Sequence, residues 1–160
     1  MLSITKIVSG CRTGADRAAL DWAIDNAMPY GGWCPKGRKA EDGPIDARYQ
    51  LRESSSANYL QRTEWNIRDS DGTVIFTIKP ELTGGSKRTA EFAAKHRKPC
   101  LHLHPGFTTG LCAQRLTEFI QANGIRVLNV AGSRGSKVPE VGAFVRTVLD
   151  IATMPKSTSD

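Results

Sequence analysis

Short apolar runs alternate along this chain with segments in which apolar residues recur every three or four positions. The apolar runs predict five strands, at residues 4–9, 30–34, 73–78, 99–104 and 126–131. The helical spacing predicts five helices, at residues 14–28, 59–69, 86–96, 111–123 and 139–152. Strands that alternate with helices indicate an α/β fold, in which a mainly parallel sheet is covered on both faces.

The number of strands favours a flavodoxin-like strand order, 2-1-3-4-5, in which the first and third strands are neighbours. The run TVIFTI, residues 73–78, has the composition of a strand that is buried on both faces. Ligands of such sheets bind at the carboxyl ends of the strands, where the strand order reverses. The loops at residues 9–14 and 82–86 are therefore predicted to face one crevice. In the same order the loop at residues 132–137 follows an edge strand, so two roles are open for it: it misses that crevice, or it helps to complete a site or an interface.

Both predicted crevice loops contain glycine and lead directly into a helix. The amides and the dipole at a helix N-terminus favour an anion, and glycine allows a ligand to approach the backbone. Arg12 adds a forked cation that suits phosphate or carboxylate. The alternative is a tight strand-to-helix turn, which also favours glycine. The anion-binding candidates in and after these loops are Gly10, Arg12, Thr13, Gly14, Gly84, Gly85, Ser86 and Thr89.

The sequence allows two roles for Asp16. With Thr13 it fits a capping box, in which Thr13 is the N-cap and Asp16 folds back to it. Alternatively it contacts the ligand, and a carboxylate there suits a sugar hydroxyl or a cation better than a phosphate.

Residues 35–58 are predicted to form a long loop that leaves the carboxyl end of the second strand, beside the crevice. Its basic residues Lys36 and Arg38 are ligand candidates. Arg62 and Glu64 are candidates as well, because the next helix begins at the same end of the sheet. The alternative is a solvated lid that makes no direct contact with a ligand.

Composition narrows the possible functions. The chain has 160 residues, of which 39% are hydrophobic and 24% charged, as expected for one globular domain at 1–153 with a flexible tail at 154–160. The net charge of +6 comes from dispersed basic residues, which favours a small anionic ligand over a polynucleotide. No apolar run is long enough to span a membrane.

The four cysteines are widely spaced and lack a CxxC pair, which is typical of reduced cysteines in a cytoplasmic protein. Cys100, His102 and His104 alternate along the fourth predicted strand and could form a metal trio. A buried strand face is the commoner reason for such spacing, so no metal site is predicted.

Five segments, in order SGCRTGADRAALDWA, GGWCPKGRKAEDGPI, YLQRTEWNIRDSDGTVIF, LTGGSKRT and LNVAGSRGSK, resemble the putative molybdenum carrier family. That family is grouped with the SLOG proteins, which include the LOG phosphoribohydrolases. The resemblance implies a Rossmann-like three-layer sandwich and a homodimer or higher oligomer. It also implies a small anionic ligand, either a nucleotide or the molybdenum cofactor.

The chain departs from these relatives in two places. Cys11 and Arg12 stand where the family's first loop has glycine and glutamine. Against the LOG motif Pro-Gly-Gly-x-Gly-Thr-x-x-Glu, the chain matches at Gly84, Gly85 and Glu91 and differs at Thr83, Lys87 and Arg88. Glu91 thus occupies the place of the catalytic glutamate. The resemblance leaves two hypotheses: a ligand-binding protein, or a phosphoribohydrolase in which Arg12 or Arg62 holds the phosphate of a nucleoside monophosphate.

Overall fold

The computed structural model describes residues 3–154. In chain order its elements are β1 (Lys6–Val8), α1 (Ala15–Asp25), β2 (Tyr30–Gly31), β3 (Trp33–Cys34), β4 (Lys39–Ala40), β5 (Gly43–Pro44), β6 (Arg52–Glu53), α2 (Tyr59–Arg68), β7 (Gly72–Phe76), α3 (Gly84–Lys95), β8 (Cys100–Leu103), α4 (Thr109–Ala122), β9 (Val127–Gly132) and α5 (Val141–Thr153). Every predicted helix is present, with ends within three residues of the prediction. Of the predicted tail, all but Met154 lies outside the described residues.

The central sheet has five strands in the order β2-β1-β9-β7-β8, and every pairing is parallel. Helices α1, α4 and α5 pack together, and α2 packs on α3. This arrangement confirms the predicted Rossmann-like α/β fold. The prediction that residues 73–78 are buried on both faces is also confirmed for β7, which is buried at every position.

The predicted strand order, 2-1-3-4-5, is wrong. β9, the fifth of the predicted strands, pairs with both β1 and β7, so the first and third predicted strands are not neighbours. Its side chains Leu128 and Val130 are 0% and 1% exposed, as expected for a central strand of a sheet that is covered by helices. Counted from β9 as the first strand, the order becomes 3-2-1-4-5, the doubly wound Rossmann order. The chain is therefore a circular permutation of that fold.

The reversal of the strand order falls between β9 and β7. The helix that follows β9, α5, packs with α1 and α4, whereas the helix that follows β7, α3, packs with α2. Neighbouring strands whose helices depart to opposite faces leave a crevice at their carboxyl ends. The fold therefore places the candidate site between β7 and β9.

The segment predicted as a long loop has structure of its own. Gly32, with φ of 127°, ends β2, and the chain then forms the pairs β3–β6 and β4–β5. A second small core fixes this segment against α1, where Leu20 packs with Cys34 and Tyr49. Arg38 donates from its guanidinium to the carbonyls of Ile45, Asp46 and Tyr49. Among the described residues, no helix is long and apolar enough to cross a membrane.

Candidate functional site

A crevice of about 430 Å³ opens at the carboxyl ends of β7 and β9. Its lining comes from three connections: Arg12 after β1, residues 77–86 after β7, and residues 132–138 after β9. The charged residues of the lining are four cations and one carboxylate, namely Arg12, Lys79, Arg134, Lys137 and Glu81. The crevice therefore carries an excess of positive charge.

The N-terminus of α3 forms one wall of this crevice. Thr83 is the N-cap in an extended conformation, and the amide of Ser86 donates back to its carbonyl at 3.1 Å. The amides of Gly84 and Gly85 donate to no group in the described part of the chain. Two free amides at the positive end of a helix dipole can donate hydrogen bonds to an anion.

Arg12 lies across the crevice against this helix end. Its Nη2 atom donates to the carbonyl of Gly132 at 3.3 Å, and its Nε atom is buried with no partner among the described residues. A Cβ atom on Gly85 would lie 3.2 Å from Nη1. A cation beside the positive end of a helix is electrostatically unfavourable unless an anion lies close to both.

The loop after β9 lies at the centre of the candidate site; the prediction that it follows an edge strand is wrong, and of the two roles left open for it the contribution to a site is the one that the crevice lining favours. Gly132, Ser133, Arg134 and Lys137 all line the crevice. The loop lies there because β9 is inserted between β1 and β7. The sequence signal was present in the run Gly-Ser-Arg-Gly-Ser-Lys, which directly follows a strand.

The first loop contributes less to the crevice than predicted, because the last loop packs against it. A Cβ atom on Gly14 would lie 2.3 Å from the carbonyl oxygen of Ser133. That carbonyl accepts from the amide of Ala15 at 3.1 Å, and the amide of Gly135 donates to Oγ1 of Thr13 at 3.2 Å. The N-terminus of α1 is thus closed by protein, and only Arg12 of this loop reaches the crevice.

Glu41, on the turn between β4 and β5, joins these two loops to the segment 35–58. Its carboxylate accepts from the hydroxyls of Thr13 and Ser136 and lies 3.9 Å from Nη1 of Arg134. Asp42 beside it pairs with Arg17, and this hydrogen bond lowers the pKa of the Asp42 carboxyl. The segment is fastened beside the crevice and does not form its lining.

The predicted capping box of Thr13 and Asp16 is wrong. The N-cap of α1 is Gly14, without a side-chain cap. The Asp16 carboxylate is 4% exposed and pairs instead with Arg62, whose Nη1 lies 3.2 Å from its Oδ2. A long-range ion pair has replaced the local hydrogen bond that the sequence pattern suggested.

Arg62 is buried beneath the first loop. It is 2% exposed, and burial lowers the pKa of its guanidinium, while the Asp16 carboxylate opposes that shift. A Cβ atom on Gly10 would lie 1.7 Å from Nη1 of Arg62, so the glycine makes room for the guanidinium. Gly10, Arg12, Asp16, Arg62 and Thr89 all line one small recess next to the crevice.

Six predicted site residues lie outside both the crevice and the recess: Thr13 and Gly14 of the first loop, and Lys36, Arg38, Glu64 and Glu91. Lys36 is exposed, and Arg38 holds its own segment together as described above. Glu64 accepts from Lys95 and His96, which lowers the pKa of its carboxyl. Glu91 is exposed on α3 and pairs with Arg88 at 3.3 Å.

The residues considered for a metal trio serve other contacts. Nε2 of His102 lies 2.6 Å from the hydroxyl of Thr77, and Nδ1 of His104 accepts from the amide of Gly106. Within residues 3–154, no group of three or more His, Cys, Asp or Glu side chains is arranged to hold a metal ion.

The permuted sheet and the crevice at its reversal point define a Rossmann-like α/β protein. The chain belongs to the circularly permutated YpsA SLOG family, which matches it over residues 7–153. The family name agrees with the strand order described above. The resemblance found in the sequence is confirmed.

One solved structure is similar along nearly the whole chain. It is the crystal structure of a putative molybdenum carrier protein from Syntrophus aciditrophicus SB, which is 44% identical. The alignment covers 96% of this chain and 97% of that one, with a TM-score of 0.93. No curated protein matches.

Proposed function

We propose that this protein binds a small ligand through a phosphate or similar oxyanion group, which it holds in the crevice between β7 and β9. The main support for the proposal is the position of Arg12, whose guanidinium lies next to Gly85, where the amides of Gly84 and Gly85 are free at the N-terminus of α3. An anion that lies next to both groups would accept from both and would relieve the repulsion between the cation and the helix dipole.

The size of the crevice supports an organic ligand. Its volume of about 430 Å³ lies within the range of roughly 300–1,000 Å³ that is typical of small-molecule sites. A single tetrahedral oxyanion such as molybdate would leave most of that space unfilled. A nucleotide and the molybdenum cofactor both combine a phosphate with a larger ring system. The name of the 44% identical relative, a putative molybdenum carrier, is consistent with an anionic cargo.

Calorimetric titration of pyrophosphate and of nucleoside monophosphates into the protein tests this proposal. Arg12→Ala should weaken binding by about 1–3 kcal/mol, the value of a charge-assisted hydrogen bond. The matched control is Arg88→Ala, which removes the same charge from an exposed part of α3 outside the crevice. Equal affinities for the wild type and Arg12→Ala would contradict the proposal.

The identity of the natural ligand needs a separate measurement. Mass spectrometry of small molecules released from the purified protein, together with molybdenum analysis, distinguishes a nucleotide from a molybdenum-containing pterin. We expect one phosphate-bearing compound, present in the wild type and depleted in Arg12→Ala.

The hydrolase alternative requires a carboxylate at the ligand. Glu91, which stands at the place of the LOG catalytic glutamate, lies outside the crevice. Glu81 is the one carboxylate in the lining formed by the described residues. We therefore propose binding without cleavage, and expect no free base to be released from nucleoside monophosphates. Release of base that is abolished by Glu91→Gln would favour the hydrolase instead.

The assembly and location implied by the sequence extend the proposal. We propose a homodimer or higher oligomer in the cytoplasm, because the resemblance implies self-association and the cysteine pattern fits a reducing compartment. Light scattering at high protein concentration tests the assembly, and a strict monomer would contradict it.

A further inference from the structure

The small recess beside the crevice is formed around the buried pair of Asp16 and Arg62. It lies between the first loop, α2 and β9, and its lining includes Thr63 and Asn129. The two charged side chains use one atom each to contact one another, Arg62 Nη1 and Asp16 Oδ2, at 3.2 Å. Both residues are more than nine-tenths buried.

The pair leaves polar atoms without partners. Oδ1 of Asp16 and Nη2 of Arg62 are buried and make no hydrogen bond within residues 3–154. Nearly all buried polar atoms in folded proteins have a partner, so each exception calls for an explanation. Here one unpaired acceptor and one unpaired donor belong to the same recess.

The chemistry of these two atoms selects a particular kind of group. An anion would be repelled by the Asp16 carboxylate, and a cation would be repelled by the Arg62 guanidinium. A hydroxyl is neutral and can both donate to Asp16 and accept from Arg62. The volume of the recess, about 10 Å³, is close to the smallest space that holds one water-sized group.

The recess and the crevice are connected through Arg12, which lines both. Thr89 of the recess also donates to the carbonyl of Gly85, in the first turn of α3, at 2.8 Å. A ligand whose anionic group lies at Gly85 would therefore have the recess next to it, beyond Arg12.

We propose that the recess binds one hydroxyl of a sugar whose phosphate occupies the crevice, with Asp16 accepting from that hydroxyl and Arg62 donating to it. The ligand class is then a phosphorylated sugar, such as the ribose phosphate of a nucleotide. This inference rests on the proposed function, since the phosphate anchors the sugar.

A set of probes that differ by one hydroxyl tests the inference by calorimetry. Adenosine 5′-monophosphate is compared with its 2′-deoxy and 3′-deoxy forms, and ribose 5-phosphate with 2-deoxyribose 5-phosphate as probes without a base. One of the two deoxynucleotides should bind about tenfold more weakly than the ribonucleotide, because the buried pair is then left unsatisfied. Equal affinity for all three nucleotides would overturn the inference and indicate that the recess holds only water.

A paired variant identifies the groups responsible. Asp16→Leu combined with Arg62→Met removes both charges together, so it avoids an unpaired buried charge. It should bind the ribonucleotide and deoxynucleotides equally, at about the deoxynucleotide affinity of the wild type. Retained discrimination in the double variant would overturn the inference. If this variant does not fold, the wild-type probe series still decides the outcome.

The two proposals fail in different ways. Pyrophosphate binding that depends on Arg12, together with no binding of any sugar phosphate, would overturn this inference and leave the proposed function standing. No binding of any anion would overturn both.

Discussion

The guanidinium of Arg12 packs next to Gly85 at the N-terminus of α3, so that a side chain on Gly85 would press against it. A Cβ atom there would come within 3.2 Å of Nη1 and 3.3 Å of Nη2 of Arg12. The two residues come from loops that follow different strands, β1 and β7, which are separated in the sheet by β9. Arg12 spans that gap because the carbonyl of Gly132, at the end of β9, accepts from its guanidinium.

Gly85→Val should weaken anion binding with little effect on stability. Gly85 does not have a positive φ, so valine causes no backbone strain there, but its methyl groups would displace the Arg12 guanidinium. Gly110→Val is the matched control, because Gly110 is likewise the second residue of a helix, α4, and a Cβ atom there is 4.0 Å from its nearest neighbour. Both variants should change stability by a similar small amount, below about 1 kcal/mol, because the helix propensities of glycine and valine differ by less than that.

Calorimetric titration with pyrophosphate and thermal unfolding of both variants check this prediction. Only Gly85→Val should show the lower affinity, by about tenfold or more. An unchanged affinity in Gly85→Val would mean that the contact between Arg12 and the α3 N-terminus has no part in binding.

Gly132→Ala should destabilise the fold strongly. Gly132 has φ of 153°, and a Cβ atom would lie 2.0 Å from the carbonyl oxygen of Phe76 on the neighbouring strand. Overpacking and backbone strain together should cost about 2–5 kcal/mol. Gly124→Ala is the control, since Gly124 also has a positive φ, 59°, but a Cβ atom there has no neighbour within 4 Å.

Urea unfolding measures the loss of stability in Gly132→Ala and in Gly124→Ala. Gly124→Ala should lose only the strain, about 1–2 kcal/mol, with an unchanged m value. Similar losses of stability in the two variants would contradict this prediction. They would show that the backbone of β7 moves away and makes room for the methyl group at position 132.

The alternation of strands and helices could be read from the sequence because it depends on local periodicity, but the position of β9 could not. Leu128 and Val130 are the kind of side chains that a central strand buries, yet the same pattern also occurs in strands near an edge. The register that brings Leu128 beside Ile7 and Gly72 joins residues more than 50 positions apart. Local spacing carries no information about such pairings.

The same limit explains the errors in the site. The glycine loop at the N-terminus of α3 could be predicted, because the residues that form it are neighbours in the sequence. The role of Asp16 could not, since its partner Arg62 is 46 residues away and the competing capping pattern with Thr13 is local. Ser133 and Arg134 lie at the centre of the crevice because β9 lies between β1 and β7. The wrong predicted strand order therefore also gave a wrong position for these two residues.

Arg62→Met alone should be strongly destabilising, whereas Asp16→Leu with Arg62→Met should not. The single change leaves the Asp16 carboxylate buried without a counter-ion, which typically costs about 3–5 kcal/mol. The double change removes both charges, and its stability should return to within about 1 kcal/mol of the wild type. Arg146→Met, at an exposed ion pair with Asp25, is the control and should cost less than about 1 kcal/mol. Chemical unfolding measures the stability of each variant. A double variant that is less stable than Arg62→Met alone would contradict this account of the buried pair.

His102 should make stability depend on pH just below neutrality. Burial lowers the pKa of His102 from its ordinary value of 6.5, and the neighbouring His104 lowers it further. The hydroxyl of Thr77 donates to the carbonyl of Lys79, so Nε2 of His102 donates to that hydroxyl, and Thr77 itself lines the crevice. Because the folded state binds the proton less tightly than the unfolded state, stability is unaffected above pH 6.5 and falls as the pH drops below it.

Thermal unfolding between pH 7.5 and 5.5 measures this effect, with His102→Gln for comparison. Glutamine can still donate to the Thr77 hydroxyl but does not titrate, so the variant should lose less stability than the wild type over this range. The difference should vanish at pH 7.5, where both side chains are neutral. Parallel curves for the two proteins would mean that His102 is as easily protonated in the folded chain as in the unfolded one, and that its burial behind Thr77 carries no electrostatic cost.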